Sequence, residues 1–471
     1  MGDFRLIASW VAEAMRGTLT GDGAREFTGV SIDTRTLKPG ELFIAIRGER
    51  FDGVEFTDAA IAAGAAGVVV PRGTTQRLGA DSASPLGERA PVIEVDETTA
   101  ALQALARAIR RESGTKVVAI TGSAGKTTTK EVASAFLSAW YRVIRNQGNL
   151  NNHIGLPLSL VALRQRPEIA VVELGMNHAG EIRTLVGVAE PDVRVWTNVG
   201  EAHVGFFASV DAIADAKAEI FEGASRATLL VANADDARIV VRLPRFGGRV
   251  VTFGIERDAD VRATEVVDRG VNGMQARITT PEGRAEMTTP LLGRGNLANI
   301  LAATAVALEF NVPLGDIAAR AASLQPATRR GEIVRLPSGI TIIDDSYNAN
   351  PTATRRALDV LSQSDADRRV AVLGEMLELG EQAPPLHEGV GRAAAVARLD
   401  LLLTVGGAPA AALAEAAIAA GLPRGRVRHF PTSDEAAADL LSFVRRGDLV
   451  LVKGSRGVRT DRVVERLKER G

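Results

Sequence analysis

The chain contains no cysteine among its 471 residues, so disulfide bonds and thiolate metal sites are excluded. Net charge is also nearly absent, because 56 lysine and arginine residues balance 57 aspartate and glutamate residues. Without a net basic field the chain is not expected to bind nucleic acid, and any site for an anion must be local. The lack of cysteine fits a reducing compartment.

Long apolar runs are missing too. No stretch approaches the ~18–20 residues that a membrane-spanning helix needs. The longest, residues 59–70, is rich in alanine and glycine and predicts a helix, a turn and a buried strand. The first 13 residues carry Asp3, Arg5 and Glu13 and lack the apolar core of a signal peptide. We therefore expect a cytoplasmic protein without a membrane span, and we expect it to be a monomer.

The length predicts two to four domains, at roughly 100–200 residues each. Changes in the apolar pattern predict three α/β domains, which cover residues 1–97, 98–324 and 325–471. The first is smaller, with short strands at 41–46, 68–70 and 91–95 and a surface loop over 73–90. Helical spacing of apolar residues over 98–111 predicts the helix that leads into the second domain.

Strand and helix patterns alternate in the second and third domains, which predicts parallel sheets buried on both faces. The expected parallel strands are 117–120, 169–172, 193–196 and 228–231 in the central domain, and 340–343, 370–373, 401–405 and 449–452 in the third. Around residues 249–289 the period changes to alternation, and the turn signal Asn272-Gly273 predicts an antiparallel region. Residues 296–308 predict a helix. The fold class is thus α/β, with a central phosphate-loop domain and a Rossmann-like carboxyl-terminal domain.

The strongest chemical signal is a glycine-rich loop between an apolar strand and a helical stretch. The loop comprises Gly122, Ser123, Ala124, Gly125, Lys126, Thr127 and Thr128. Glycines let backbone amides approach phosphates, and a helix amino terminus attracts anions. Lys126 can reach the β- and γ-phosphates of ATP, and the Thr127 hydroxyl can bind magnesium. Ile120 stands where the general pattern has a glycine. The alternative is a glycine-rich turn with a chance Lys-Thr pair, but the flanking strand and helix favour phosphate binding.

Three further side chains are candidates for a metal site or for catalysis. Glu173 ends a predicted strand, where a carboxylate beside the phosphate loop is well placed for magnesium. His203 follows another strand end, although a lone histidine there is more often structural. Lys217 lies in a helical stretch, and the residue pattern alone predicts a solvated lysine.

In this order, the short loop, the glutamate, the histidine and the lysine resemble the Mur ligase family. The resemblance implies ATP and two magnesium ions, one held by Thr127 and Glu173 and the other near Glu173 and His203. It also implies a carbamylated Lys217 that supplies a carboxylate to the metal site.

The resemblance extends over almost the whole chain and implies further binding residues. Those for ATP are Asn296, Asn299, Arg330, Asp345 and Asn348, in addition to the loop. Those for the substrates are Asp33, Thr34, Arg35, Asp52, Asn149, Asn152, Tyr347, Asn350, Lys453 and Arg456. Two departures affect the contacts with ATP. Gly295 stands where the family often has histidine, and Arg329-Arg330 leaves two candidate arginines, of which Arg330 is favoured.

Four motifs are most similar to the family members that add D-alanyl-D-alanine. They are residues 148–157, 173–177, 344–351 and 373–380. The implied reaction is ATP-dependent ligation of D-alanyl-D-alanine to UDP-N-acetylmuramoyl-tripeptide through an acyl phosphate, a step of peptidoglycan synthesis. The alternatives are a sister ligase for a single amino acid or for a glutamate on folate, a nucleotide-dependent switch or motor, and a non-catalytic scaffold.

Overall fold

The computed structural model describes residues 4–48, 50–79, 90–146, 148 and 150–470. It contains three large β-sheets in chain order, each in an α/β arrangement. Mixed α/β architecture with several parallel sheets was the fold class expected from the sequence, and it is confirmed. Within the described ranges, no helix combines the length and the hydrophobicity that crossing a bilayer requires.

The amino-terminal part has a five-stranded sheet in the order β2-β7-β6-β5-β4, in which only the β2–β7 pair is antiparallel. Its elements are β1 (Leu6–Ile7), α1 (Ala8–Ala14), β2 (Thr18–Thr20), β3 (Glu26–Phe27), β4 (Val30–Ser31), β5 (Leu42–Ile44), α2 (Thr57–Ala62), β6 (Gly67–Pro71), α3 (Thr74–Gly79) and β7 (Val92–Val95). The small β1–β3 pair lies beside it.

One expectation for this part is wrong. Residues 73–90 were predicted to form a loop, but α3 occupies the start of that range. The Thr75 backbone amide and hydroxyl both donate to Glu94 Oε1, at 3.1 and 2.7 Å, and so hold the first turn of α3 against β7. Residues 80–89 of the predicted loop lie outside the described residues.

The central part has a nine-stranded sheet in the order β16-β15-β14-β13-β12-β11-β8-β10-β9. Its elements are α4 (Thr98–Ser113), β8 (Lys116–Thr121), α5 (Lys126–Leu137), β9 (Val143–Arg145), α6 (Gly155–Leu160), β10 (Ile169–Glu173), α7 (Glu181–Ala189), β11 (Val193–Trp196), α8 (Val210–Ala218), β12 (Leu229–Asn233), α9 (Ala237–Val240), β13 (Arg249–Gly254), β14 (Val261–Asp268), β15 (Met274–Thr280), β16 (Gly283–Thr289), α10 (Gly293–Glu309) and α11 (Leu314–Ala321).

Strand β8 lies in the interior of this sheet and is buried on both faces. Val117 and Ala119 belong to the hydrophobic core on one face, whereas Val118 and Ile120 belong to the core on the other. Burial on both faces gives the continuous apolar run that the sequence shows. The antiparallel region is shorter than expected, because β13 pairs in parallel with β12 and β14, and antiparallel pairing begins with β15.

The carboxyl-terminal part has a six-stranded sheet in the order β17-β18-β22-β19-β20-β21, antiparallel only at β17. Its elements are β17 (Glu332–Arg335), β18 (Thr341–Asp345), α12 (Pro351–Gln363), β19 (Arg368–Gly374), α13 (Ala383–Val396), β20 (Leu401–Val405), α14 (Ala408–Ala419), β21 (Val427–Phe430), α15 (Ser433–Phe443), β22 (Asp448–Lys453) and α16 (Asp461–Arg470). The four parallel strands predicted from the sequence are therefore present.

Candidate active site

The glycine-rich loop connects β8 to α5 and requires glycine at two positions. Gly122 has φ +151°, and a Cβ there would lie 1.9 Å from Thr197 Oγ1. Gly125 has φ +82°, and its Cβ would lie 2.2 Å from Asn299 Oδ1. Both the backbone conformation and the neighbouring side chains thus exclude larger residues. The loop is held in a fixed shape at the amino terminus of α5, where anions are favoured.

We expect Gly125→Ala to weaken ATP binding by roughly tenfold or more, since the strained conformation and the contact with Asn299 would displace the loop. Isothermal titration with ATP measures this. Gly187→Ala is the matched control, because a Cβ at Gly187 meets no atom within 4 Å and its φ is not positive. Equal ATP affinity for both variants would show that the loop does not hold the phosphates.

Residues that follow the neighbouring strand β11 support the loop. Thr197 Oγ1 donates to the Ala124 carbonyl at 2.8 Å. The Asn198 side chain accepts from the Ala124 amide and donates to the Ala124 carbonyl, both at 2.9 Å. Ser123 Oγ accepts from the Gly200 amide at 2.9 Å. The ends of β8 and β11 therefore form one rigid cradle.

Lys126 is the first residue of α5 and bends back over the loop. Its Nζ donates to the Gly122 carbonyl at 2.7 Å. Burial lowers the pKa of Lys126, and the nearby Arg330 guanidinium lowers it further, whereas the Glu173 carboxylate opposes the shift. The Lys126 amine thus lies near both the Glu173 carboxylate and the Arg330 guanidinium, at the edge of the sheet where a phosphate would bind.

Glu173 ends β10 next to the loop, as the sequence predicted. It is 4% exposed, and its Oε2 accepts a 2.8 Å hydrogen bond from Thr127 Oγ1. Its Oε1 accepts from Asn151 Nδ2 at 2.5 Å, and its backbone amide donates to Asn146 Oδ1 at 3.0 Å. The carboxylate is therefore fixed in place beside the threonine hydroxyl.

His203 lies beyond the end of β11, in backbone with φ +64°. Its Nδ1 lies 2.7 Å from Glu378 Oε2, a carboxylate of the carboxyl-terminal part. In this arrangement the imidazole faces Glu378.

Lys217 is buried, so the prediction of a solvated lysine from the residue pattern is wrong. The residue lies on α8 and is 1% exposed. Burial lowers the pKa of Lys217 well below its usual value, and the Lys126 cation adds to the shift. None of the residues that the structure describes accepts a hydrogen bond from its amine.

The donor atoms here suit magnesium better than a transition metal. Glu173 and Thr127 offer hard oxygen ligands, and magnesium is commonly bound through one or two carboxylates together with substrate phosphates. Among the described residues, no three histidine, aspartate or glutamate side chains form a group that could hold a metal ion. Of the residues predicted for magnesium, Thr127 and Glu173 lie in direct contact, and their oxygen atoms would fit the ion.

Asn296 and Asn299 lie in the first turns of α10, beside the loop. Asn299 is buried against Gly125, and its Nδ2 donates to Asn296 Oδ1 at 3.3 Å. Asn296 Nδ2 donates to the Leu292 carbonyl at 2.9 Å. At Gly295 a Cβ would meet Arg356 at 3.1 Å, so an arginine of α12 occupies the space beside this glycine.

The carboxyl-terminal part contributes a second cluster of charged residues. Lys453, 3% exposed at the end of β22, donates to Asp345 Oδ2 at 2.6 Å and to the Asn348 carbonyl at 3.0 Å. The Arg330 guanidinium lies 4.1 Å from the centre of the Tyr347 ring.

The two candidate arginines have different partners. Arg329 pairs with Asp461 at 2.9 Å and with Glu465 at 3.1 Å, both on α16. Arg330 instead lies close enough to Lys126 to lower its pKa. This difference supports Arg330 as the arginine that faces the loop.

Several predicted substrate residues are engaged in local contacts. Asp33 and Arg35 form an ion pair at 2.6 Å, which lowers the pKa of Asp33 to about 2. Asp52 caps the helical turn 53–56 and Asn350 caps α12, and Asn152 Oδ1 accepts from the Gly155 amide at the start of α6. Thr34 is half-buried and Arg456 is exposed. Asn149 lies outside the described residues.

The sequence reasoning did not single out three residues that the structure places at the site. Asn151 holds Glu173, and Thr197 and Asn198 hold the loop. A signal existed for Thr197 and Asn198, since they directly follow a buried strand next to β8. Asn151 stands between two candidate residues of one motif.

Comparisons with known proteins agree with this geometry. The family model "Mur ligase family, catalytic domain" matches residues 26–110, "Mur ligase middle domain" matches 120–307, and "Mur ligase, glutamate ligase domain" matches 329–456. A UDP-N-acetylmuramoyl-tripeptide–D-alanyl-D-alanine ligase of Bacillus subtilis is 35% identical over 98% of this chain and 97% of its own length. The Escherichia coli enzyme of the same name is 34% identical over 98% of both.

Solved structures of related proteins share the fold over nearly the whole chain. A crystal structure of MurF from Acinetobacter baumannii superposes with a TM-score of 0.89 at 30% identity and covers 100% of both chains. The MurF ligase of Thermotoga maritima in complex with ADP has a TM-score of 0.81 at 28% identity and covers 94% of this chain and 97% of its own. The matches span all three sheets and include the glycine-rich loop, and the chain belongs to the Mur ligase family.

Proposed function

We propose that the chain joins D-alanyl-D-alanine to UDP-N-acetylmuramoyl-tripeptide at the expense of ATP, in the synthesis of peptidoglycan. The observation that carries this is the near-complete coverage by relatives with that activity in their names, at 34–36% identity for the first three. The fixed phosphate loop with Glu173 beside it supplies the chemistry such a ligase needs. ATP use is further supported by the related ligase that was solved with ADP.

The reaction has two steps. The terminal carboxylate of the tripeptide attacks the γ-phosphorus of ATP, and the bond to the β-phosphate oxygen breaks, which gives an acyl phosphate and ADP. The neutral amine of D-alanyl-D-alanine then attacks the acyl carbon, loses a proton to solvent and expels phosphate. A carboxylate is a poor electrophile, so phosphorylation supplies the leaving group.

The residues act mainly through charge and position. The loop amides and the Lys126 amine bind the β- and γ-phosphates and offset the repulsion between two anions. Thr127 and Glu173 hold magnesium, which when bound neutralises charge that develops on the phosphoryl group. We expect Arg330, Asn296 and Asn299, which lie near the loop, to contact ATP. Lys453, Asp345 and Asn348 complete the site from the carboxyl-terminal part.

We propose that Lys217 carries a carbamate. Its neutral amine attacks the carbon of CO₂, a nitrogen–carbon bond forms, and one proton leaves to solvent. The product is an anion beside the Lys126 cation, and the two attract each other, whereas two protonated amines would repel. The carbamate then supplies an oxygen ligand near Glu173.

Labelling with ¹³C-bicarbonate tests the carbamate. We expect one carbamate resonance in the ¹³C spectrum of the wild type and none in Lys217→Met, with turnover lowered about 10–100-fold in the variant. Lys130 is an internal comparison: it is equally buried, but its Nζ donates to the Asn146 carbonyl at 2.7 Å, so it should stay unmodified. A wild type with no carbamate resonance would contradict the proposal.

A donor assay tests the function itself. ATP-dependent phosphate release with UDP-N-acetylmuramoyl-tripeptide should require D-alanyl-D-alanine, and the product mass should correspond to the pentapeptide. Single amino acids and folate substrates should give no product. If glutamate with a folate acceptor gave turnover and the dipeptide did not, a sister ligase would be indicated. Cytoplasmic location and a monomeric state stay predictions.

A further inference from the structure

The segment 200–205 links the phosphate loop to the carboxyl-terminal part. It follows β11, and its first residue, Gly200, exchanges two hydrogen bonds with Ser123 of the loop, at 2.9 and 3.1 Å. Its last residue, Gly205, donates its amide to the Glu378 carbonyl at 3.1 Å. One short segment thus touches the loop on one side and the other domain on the opposite side.

Glu201 connects this segment to a helix of the carboxyl-terminal part through its side chain. Its Oε1 accepts a 2.8 Å hydrogen bond from Arg355 Nη2, and its Oε2 accepts one from Thr352 Oγ1. Both partners lie on α12, which begins six residues after β18 ends at Asp345. The Glu201 side chain is 23% exposed and that of Arg355 36%, so the ion pair is partly shielded from solvent.

Close packing reinforces the ion pair. A Cβ at Gly200 would lie 2.9 Å from Thr352 Oγ1 and 3.8 Å from the Ser123 Cβ. Thr352 therefore lies directly over Gly200, with the loop serine behind it. At Gly205 a Cβ would lie 2.6 Å from the Gly380 amide nitrogen. A side chain at Gly200 would therefore meet α12, and one at Gly205 would meet residues 378–380 of the same domain.

We propose that Glu201 is a positioning residue that docks the carboxyl-terminal domain on the phosphate loop. Its contacts with Arg355 and Thr352 hold α12 in place. The hydrogen bonds between Gly200 and Ser123 connect the segment, and therefore α12, to the phosphate loop. Asp345 and Asn348 just precede α12, so docking of this helix also sets their distance from the loop. The argument rests on the proposed function only for the kinetic effect, since the docking contact itself is independent of the substrates.

Kinetics with a double-mutant cycle give the first test. Glu201→Gln and Arg355→Met should each lower kcat roughly tenfold, and the double variant should be no slower than either one. The binding constant for ATP alone should change little, because the loop and Lys126 remain intact. The charge exchange Glu201→Arg with Arg355→Glu should recover part of kcat. Multiplied effects in the double variant, or no effect of either single one, would overturn the proposal.

A distance measurement separates this proposal from the proposed function. Because the chain has no cysteine, Val241→Cys and Val396→Cys introduce the only two thiols, at residues that are 68% and 81% exposed. Single-molecule energy transfer between dyes at these sites should show a docked population that shrinks in Glu201→Gln and in Gly200→Ala. Glu388→Gln, which affects an exposed pair with Arg392 within α13, is the control and should leave it unchanged.

The two readouts distinguish the outcomes. If Glu201→Gln leaves the distance distribution of the wild type intact, the docking role is overturned, whatever the enzyme ligates. If the distribution shifts as expected but the wild type forms no pentapeptide, the docking role stands and the proposed function fails. Gly200→Ala keeps Glu201 intact, so a matching shift ties the effect to the contact with Thr352 rather than to the lost charge.

Discussion

Replacing Lys126 with alanine is expected to lower the rate of ATP-dependent ligation by roughly 10³-fold or more. The amine caps the loop by donating to the Gly122 carbonyl at 2.7 Å and is the buried cation closest to where the phosphates are proposed to bind. Its removal leaves the negative charge that develops on the transferring phosphoryl group without this partner. Steady-state phosphate release, with the product checked by mass, measures the loss.

The matched control for this variant is Lys116→Ala. Lys116 begins the same strand, β8, at the end opposite to the loop, and its side chain is exposed. It should keep nearly full activity. If Lys126→Ala ligated at the rate of Lys116→Ala, Lys126 would have no role in the transfer of the phosphoryl group.

Glu173→Gln is expected to have the second-largest effect, a loss of about 10²–10³-fold in kcat/KM at low magnesium, with partial recovery at high magnesium. The substitution keeps the size of the side chain and an oxygen that can accept from Thr127 or Asn151. It removes only the negative charge that would bind the ion. A magnesium titration of turnover separates this effect from simple destabilisation.

Glu168→Gln is the control for Glu173→Gln, because Glu168 precedes the same strand, β10, at its other end and is half-exposed. Its magnesium dependence should match that of the wild type. A Glu173→Gln enzyme with an unchanged magnesium requirement would mean that this carboxylate does not hold the ion.

The parallel sheets could be predicted from the sequence because strands that are buried on both faces are continuous apolar runs. Residues 117–120 are all apolar, because they belong alternately to the hydrophobic cores on the two faces of the sheet. The loop was predictable for a similar reason, since a strand, two glycines and Lys-Thr must be adjacent in sequence to form it. The domain boundaries after residues 97 and 324 stay predictions.

Contacts between distant segments could not be predicted in this way. The burial of Lys217 depends on the tertiary packing of α8, whose Ala214 and Ala218 share a hydrophobic core with Trp196 of β11. The Glu201–Arg355 pair joins two domains, and local spacing carries no information about it. The choice of Arg330 over Arg329 likewise depends on α16, at the end of the chain, which pairs with Arg329.

We propose that the turn after β8 binds the triphosphate with a metal ion between Thr127 and Glu173. A crystal structure with a non-hydrolysable ATP analogue and manganese in place of magnesium would locate both. We expect an anomalous peak within coordination distance, roughly 2.0–2.3 Å, of Thr127 Oγ1 and a Glu173 oxygen, with the γ-phosphate next to Lys126. A nucleotide bound elsewhere, or manganese without contact to Glu173, would contradict it.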